Sequence, residues 1–226
     1  MLKRYFSLGG GATGSPEASL VDQTVFLKVD IDRALGFFKT TGYNLSLDMA
    51  LRGSDMPRLS LQGQFGDGKV ISATTNSVPG GRVMTIAFND LGTVMRFVGI
   101  YPRLLGGEGS LVLTTRIAEK MDEGEFNVRG FALVDEQAVG KVVGSQQGRV
   151  TNSDRVSFRS GRAAFVRRKD RAELKEAMVT GDEMGGTMRG FIYTEQGKYD
   201  LVGTYIPLAG LNSIFQKLPL FGPLLG

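Results

Sequence analysis

The residue types that most often carry catalysis are scarce in this sequence. It contains no His and no Cys, which excludes Ser-His-Asp and Cys-His nucleophilic sites and the common zinc sites. Residues 63–70 come close to a phosphate-binding P-loop, with Gly63 and Gly68 at the right spacing before Lys69. However, Val70 stands where that motif needs Ser or Thr to bind magnesium, and a strand rather than a helix is predicted to follow. We therefore predict no catalytic residue, metal site or cofactor, and a protein that is not an enzyme.

Asp30 and Asp32 are the other pair of carboxylates that could act together. They would share one face of a strand if the extended stretch that starts at Val25 continued that far. Asp32 is better explained as the N-cap of a short helix that carries Leu35 and Phe38 and ends at Gly42. The sequence accordingly predicts a structural role for Asp32.

The charge distribution argues against a nucleic-acid partner. The formal net charge is +4, from 27 basic and 23 acidic residues that are largely interspersed. A nucleic-acid-binding protein would be expected to cluster its basic residues with aromatic ones. The one basic cluster comprises Arg162 and residues 167–171. We interpret it as the solvated tip of a hairpin, with contact to anionic lipid head groups as the alternative.

Strict alternation of apolar and polar residues is the dominant pattern and predicts half-buried strands. Residues 43–52 and 59–65 show it most clearly, and residues 125–134 are predicted as a further strand. Seven apolar residues are predicted to share one face and to form the candidate binding surface: Leu45, Leu47, Met49, Leu59, Leu61, Leu111 and Leu113.

Helices are predicted to be few and short. We expect them near Asp32, at residues 91–98 after the cap at Asp90, near Asp135 and after Pro207. Residues 168–179 have a helix-forming composition, so intrinsic preference alone predicts a helix there. The predicted organisation is a flexible N-terminal segment at 1–24, followed by one β domain over 25–226.

Glycines recur on the predicted apolar faces. Gly makes up 32 of the 226 residues, about twice the usual share of ~7%. The pattern of an apolar residue, one spacer and a Gly ends at Gly53, Gly63, Gly130, Gly190 and Gly203. Because Gly inside a strand often marks a bend or a close approach, this pattern predicts a curved sheet. Casual use of Gly in a Gly-rich chain is the alternative.

The C-terminal stretch carries the most specific order of residues. It contains Gly-Thr-Tyr-Ile-Pro at 203–207, Leu-Asn at 211–212 and Leu-Pro-Leu-Phe-Gly-Pro-Leu-Leu-Gly at 218–226. This order resembles the end of the AsmA-like C-terminal domain, a family of bacterial envelope proteins related to the repeating β-groove lipid-transfer proteins. The resemblance implies a mainly β fold, namely an elongated, curved antiparallel sheet with short edge helices. It also implies a return from helix to strand over residues 104–113, and two strands joined at 168–171 in place of a helix. In that family further strands follow, so the chain is expected to be an internal excerpt of a longer protein.

The resemblance also implies a function. It predicts an apolar groove for phospholipid acyl chains, used in lipid transfer or lipid homeostasis between the inner and outer membranes of Gram-negative bacteria. The expected location is the periplasmic side of the envelope, with an anchor in the inner membrane through a segment outside this chain. The alternative is a non-transporting scaffold or outer-membrane assembly factor that uses the same sheet for protein contacts.

Overall fold

A computed structural model describes residues 24–52, 55–135, 155–193 and 197–207, and 77% of these residues lie in strands. The strands form one antiparallel sheet that is open and curled, accompanied by one short α-helix. The predicted mainly β fold is therefore confirmed. The elements are β1 (Thr24–Leu35), β2 (Thr41–Arg52), β3 (Asp55–Phe65), β4 (Lys69–Val78), β5 (Gly81–Phe88), α1 (Leu91–Phe97), β6 (Leu104–Arg116), β7 (Met121–Val134), β8 (Arg155–Arg167), β9 (Arg171–Gly181), β10 (Met184–Tyr193) and β11 (Lys198–Pro207).

The strands follow one another in the sheet in the same order as in the sequence, from β1 to β11. Each strand pairs antiparallel with the next one, so the whole sheet is a chain of hairpins. The connection between β3 and β4 is a short 3₁₀ turn over Gly66–Gly68. This order places every strand beside its neighbours in the sequence, with β1 and β11 at the two edges.

The helix predicted at Asp32 is wrong. Residues 30–35 continue β1, with Arg33 opposite Tyr43 and Leu35 opposite Thr41. The chain then reverses through Phe38 and Lys39, whose φ angles are 51° and 59°. Cross-strand pairing with β2 outweighs the local capping preference of Asp32, because the alternating apolar residues of β1 continue to Ile31 and need a partner strand.

The helix predicted after Asp90 is confirmed as α1. The Asp90 carboxylate accepts a hydrogen bond from the Thr93 backbone N–H at 2.7 Å, which satisfies one of the free donors at a helix N-terminus. The chain leaves the helix at Val98 and turns at Gly99, where φ is 76°.

The preference for strands over a helix around residues 168–179 is confirmed. Residues 171–181 form β9, which pairs with β8 on one side and with β10 on the other. The tight turn between β8 and β9 is closed by the Arg168 N–H, which donates to the Arg171 carbonyl at 2.8 Å. Pairing on both sides therefore outweighs the helix-forming composition of this segment.

The core lies where α1 packs on the middle of the sheet. Phe88, Leu91, Leu104 and Val128 form its main buried cluster. A smaller cluster follows around Val156 and Phe158; the Phe158 ring stacks on Phe131 with centroids 5.0 Å apart. Both clusters belong to β5–β8 and α1, so tight packing is concentrated in the central strands of the sheet.

Several expectations fall outside the described residues. The helices expected after Asp135 and after Pro207 lie in stretches that the structure does not describe, as does Gly53. The predicted boundary between an N-terminal segment at 1–24 and a β domain stays a prediction. Among the described residues, no helix is long and apolar enough to span a membrane.

Candidate functional site: one apolar face across eleven strands

The strand registers place the seven predicted residues on one face of the sheet. Leu47 lies opposite Leu61, and Met49 lies opposite Leu59. Leu45 lies two positions before Leu47 in β2, so its side chain is on the same face. Leu111 and Leu113 join the same face through the intervening strands β4 and β5. All seven side chains are half-buried; that they bind lipid stays a prediction.

One row of small and apolar residues continues without interruption from β1 to β11. Its members are paired directly from each strand to the next. We call it the apolar row, and it consists of Val29, Leu47, Leu61, Ala73, Ile86, Leu111, Phe126, Ala163, Ala177, Met188 and Gly203. Because the row contains no charged or polar side chain, it forms a continuous apolar path at right angles to the strands.

Glycines beside the apolar row leave room for large neighbours. A Cβ atom on Gly63 would lie 2.6 Å from a methyl carbon of Leu45, and one on Gly124 would lie 2.1 Å from the Phe165 ring. On Gly161 it would lie 3.1 Å from Val128. The prediction that glycines lie on the apolar face holds for Gly63, which the registers place between Leu45 and Ile71.

Gly130 departs from that prediction. Its φ angle is 63° and a Cβ atom there would meet nothing within 4 Å. It lies between Arg129 and Phe131, where the pairing of β7 with both neighbours skips a residue. The register is the same on both sides of Gly130, and the left-handed backbone at this position favours Gly.

Helix α1 covers one end of the apolar face. The Phe97 ring meets the Phe65 ring edge-on with centroids 5.1 Å apart. Arg96 fixes the helix to β6, because its guanidinium donates to the Leu104 carbonyl at 2.7 Å and to the Thr93 hydroxyl at 2.9 Å. Among the described residues, α1 is the one helix on this face. The rest of the face is not covered by a second described layer.

The other end of the same face is polar. The Asp122 carboxylate accepts hydrogen bonds from the Thr115 hydroxyl at 2.6 Å and from the Arg167 guanidinium at 2.6 Å. These three residues are cross-strand partners, and each lies two positions from an apolar-face residue in its own strand. The apolar row thus runs between α1 on one side and this charged rim on the other.

The opposite face of the sheet carries ion pairs between neighbouring strands. It carries the ion pairs Arg58–Asp48 at 2.6 Å, Arg129–Glu108 at 3.8 Å and Arg162–Glu176 at 3.7 Å. Arg162, from the predicted basic cluster, is therefore balanced by a carboxylate on the neighbouring strand. The two faces differ clearly in chemistry, and only one offers an extended apolar surface.

Three of the eleven residues of the apolar row, namely Leu47, Leu61 and Leu111, are among the seven residues predicted from the sequence. Ala73, Ala163 and Ala177 give a weak hydrophobic signal, although their pairing makes them part of the lining. Phe126 and Met188 are not among the seven residues predicted for the binding surface, although both are large apolar residues of the row. Alternation could have indicated their face, whereas the registers that align them across strands depend on turn and bulge geometry.

The described residues contain no group of three or more side chains placed to hold a metal ion. No family model, curated protein or solved structure matches the chain. The resemblance to AsmA-like proteins therefore remains a prediction from the sequence, and the functional argument rests on the geometry of the apolar face.

Proposed function

We propose that this chain is a segment of a bacterial envelope protein whose apolar face holds phospholipid acyl chains during lipid transfer or lipid homeostasis between the inner and outer membranes. The proposal places the segment on the periplasmic side and assigns it binding rather than catalysis. The observation that carries it is the apolar row, which continues through all eleven strands and passes a charged rim on β6–β8.

The energetics of a lipid carrier demand such a continuous surface. Exposing two acyl chains of ~16 carbons each to water would cost on the order of 25 kcal/mol, at ~0.8 kcal/mol per methylene. A carrier must therefore keep the chains in contact with apolar atoms at every position along the path. A row without a charged residue meets this requirement, and a neighbouring polar rim leaves the head groups in contact with water.

The partial exposure of the face also supports binding. Met188, near the β11 end of the apolar row, keeps 44% of its side-chain surface exposed, and Leu27, next to the β1 end, keeps 42%. Exposed apolar surface of this extent is typical of interaction sites. A face intended only as a closed core would bury these side chains.

A pair of substitutions tests the proposal. Met188→Glu places a carboxylate in the apolar row at an exposed position, whereas Thr187→Glu places the same charge one residue away on the opposite face. With a phospholipid that carries a photoreactive diazirine in its acyl chain, we expect Met188→Glu to reduce crosslinking and Thr187→Glu to leave it unchanged. Equal crosslinking in both variants, with both folded, would contradict the proposal.

A scaffold that uses the sheet for protein contacts is the second candidate. The edge strands favour it, because Phe26 in β1 is 72% exposed and Tyr199 in β11 is 74% exposed. Exposed edges of this kind are templates for pairing with another chain. Loss of a protein partner in edge variants, with lipid crosslinking absent from the unmodified chain, would favour this candidate over a lipid carrier.

A further inference from the structure

A cavity of about 230 Å³ lies between α1 and strands β1–β4, at the end of the apolar face. Its lining includes Leu61 and Ile71 on the sheet and Val94 and Phe97 on the helix. Every residue of the lining is Val, Ile, Leu or Phe, so no side chain offers a hydrogen bond. An occupant with a charged or hydrogen-bonding group would lose its hydration without compensation.

The position of α1 explains why the cavity exists. The helix is held close to β6, where a Cβ atom on Gly92 would lie 2.3 Å from the Leu104 carbonyl oxygen. Its C-terminal part approaches the turn between β1 and β2, where the Phe37 N–H donates to the Phe97 carbonyl at 3.0 Å. Between these two attachments the helix bridges β2–β4 without closing the space beneath it.

The cavity opens toward the β1 edge of the sheet. Ile31 and Val98 are part of the lining, yet they remain 40% and 47% exposed. Next to this opening, Leu35, Phe37 and Ile100 are exposed apolar side chains as well. A flexible apolar molecule could therefore enter from this side without crossing a polar barrier.

We propose that this cavity binds the terminal segment of a single hydrocarbon chain. An engineered cavity of about 150 Å³ with a similar Leu, Ile and Phe lining stays dry and takes up benzene or xenon, and the cavity beneath α1 is larger. The absence of polar lining groups selects the methyl end of a chain rather than its head group. This site rests on the proposed function and extends it, because the methyl end of an acyl chain would be held beneath α1, apart from the open apolar row.

The first experiment tests the cavity without any lipid. Xenon is applied under pressure to the full 226-residue chain, and methyl NMR shifts are followed at Leu61, Ile71 and Val94. We expect shifts at all three residues in the unmodified chain, and loss of the Leu61 and Ile71 shifts in Val94→Phe, which fills the cavity. Exclusion of xenon from the unmodified chain would mean that protein atoms already fill the space, and it would overturn the inference.

The second experiment tests the occupant. Palmitate with a diazirine at its terminal carbon is compared with palmitate that carries the diazirine near its carboxylate, and the crosslinked peptides are mapped. We expect the terminal label on α1 and β4 and the other label elsewhere. Val94→Phe should weaken the terminal crosslink at least about tenfold, the equivalent of ~1.4 kcal/mol, whereas Val202→Phe, the same change at an exposed position of β11 on the opposite face, should not. Identical maps for the two probes would overturn the inference.

Two further variants keep the test decisive if Val94→Phe misfolds. If Val94→Phe does not fold, Val94→Met adds less volume and should still weaken the terminal crosslink, whereas Val94→Ala should enlarge the cavity and preserve it. Terminal crosslinking in the cavity combined with no phospholipid crosslinking on the open row would refute the proposed transfer function and retain this site. The reverse pattern would refute the site alone.

Discussion

At the scale of single residues, position along the apolar face determines how much an introduced charge destabilises the fold. Leu61 lines the cavity beneath α1, whereas Met188 lies near the uncovered β11 end. An unpaired carboxylate that is enclosed by apolar atoms loses hydration that an exposed one keeps. The two positions belong to the same row, so comparing them tests what coverage by α1 adds to the cost of a charge.

We expect Leu61→Glu to lower the free energy of unfolding by several kcal/mol, and Met188→Glu to change it by no more than about 0.5 kcal/mol. Leu47→Glu should behave as Leu61→Glu does, since both line the same cavity. Urea unfolding of the full chain measures the difference. Gln62→Glu, next to Leu61 but on the exposed opposite face, is the matched control. An equal loss of unfolding free energy in that variant would show that coverage by α1 is not the cause.

Tyr205 gives a prediction for alkaline pH. Its pKa is raised above the ordinary value, first because burial disfavours the phenolate and second because Glu183 is a nearby negative charge. A raised folded-state pKa means that this contribution to stability is present below the ordinary tyrosine pKa of about 10 and is lost as the pH rises through the folded value. Tyr205→Phe should therefore reduce the loss of stability in the alkaline range.

The measurement for Tyr205 is ultraviolet titration of the phenolates, followed by thermal unfolding from about pH 8 to about pH 11, a window that brackets the ordinary tyrosine pKa. Tyr205→Phe should remove a late-titrating phenol from the absorbance curve. Tyr199→Phe, at an exposed position in the same strand, is the control. Removal of an early-titrating phenol by Tyr205→Phe would contradict the expected direction of the shift.

At the scale of elements, the sequence predicted the helix and strands that have a local cause. Asp90 caps α1 as expected, and the alternation of β2 and β3 gave their faces correctly. Asp32 had an equally good local signal, yet its segment pairs with β2 as a strand. Residues 171–181 show the same competition, because pairing on both sides outweighs helix propensity. Propensity was thus reliable only where no partner strand competed for the segment.

Asp90 is the element-scale prediction. Asp90→Ala removes the hydrogen bond to the Thr93 N–H and the ion pair with Lys69, whose ammonium lies 3.5 Å from the carboxylate. Loss of an N-cap costs about 1 kcal/mol, so we expect a decrease of that order and faster amide exchange within α1. Asp90→Ser keeps a capping oxygen and should restore most of the protection. Unchanged exchange of the Val94 amide in the Ala variant would contradict the capping role.

At the scale of the whole molecule, the sheet is a linear series of strands. Each strand pairs only with its neighbours in the sequence, and α1 packs mainly on β6. The mainly β architecture could be predicted from alternation, and the face of the seven candidate residues followed from it. The length of the apolar row could not, because it depends on bulges that correct the register, such as the one where Phe165 pairs with Leu174.

A linear series predicts that stability is distributed unevenly along it. In such architectures the total stability is approximately the sum of the intrinsic stability of each unit and of its interfaces with its nearest neighbours. The buried clusters lie in β5–β8 and α1, whereas β1 and β11 keep large exposed side chains such as Phe26 and Val202. We therefore expect hydrogen exchange to be slowest in β6–β8 and progressively faster toward both edges.

Phe158→Ala tests whether stability is transmitted along the series. Phe158 is 5% exposed and stacks on Phe131, so its removal should cost about 3–5 kcal/mol at this site. Because coupling passes from strand to strand, protection should fall most in β7–β9 and little in β1 and β2. Tyr199→Ala at the β11 edge is the control and should leave β7–β9 protected. An equal loss of protection in all eleven strands after Phe158→Ala would mean that the sheet unfolds as one cooperative unit, and the nearest-neighbour description would be wrong.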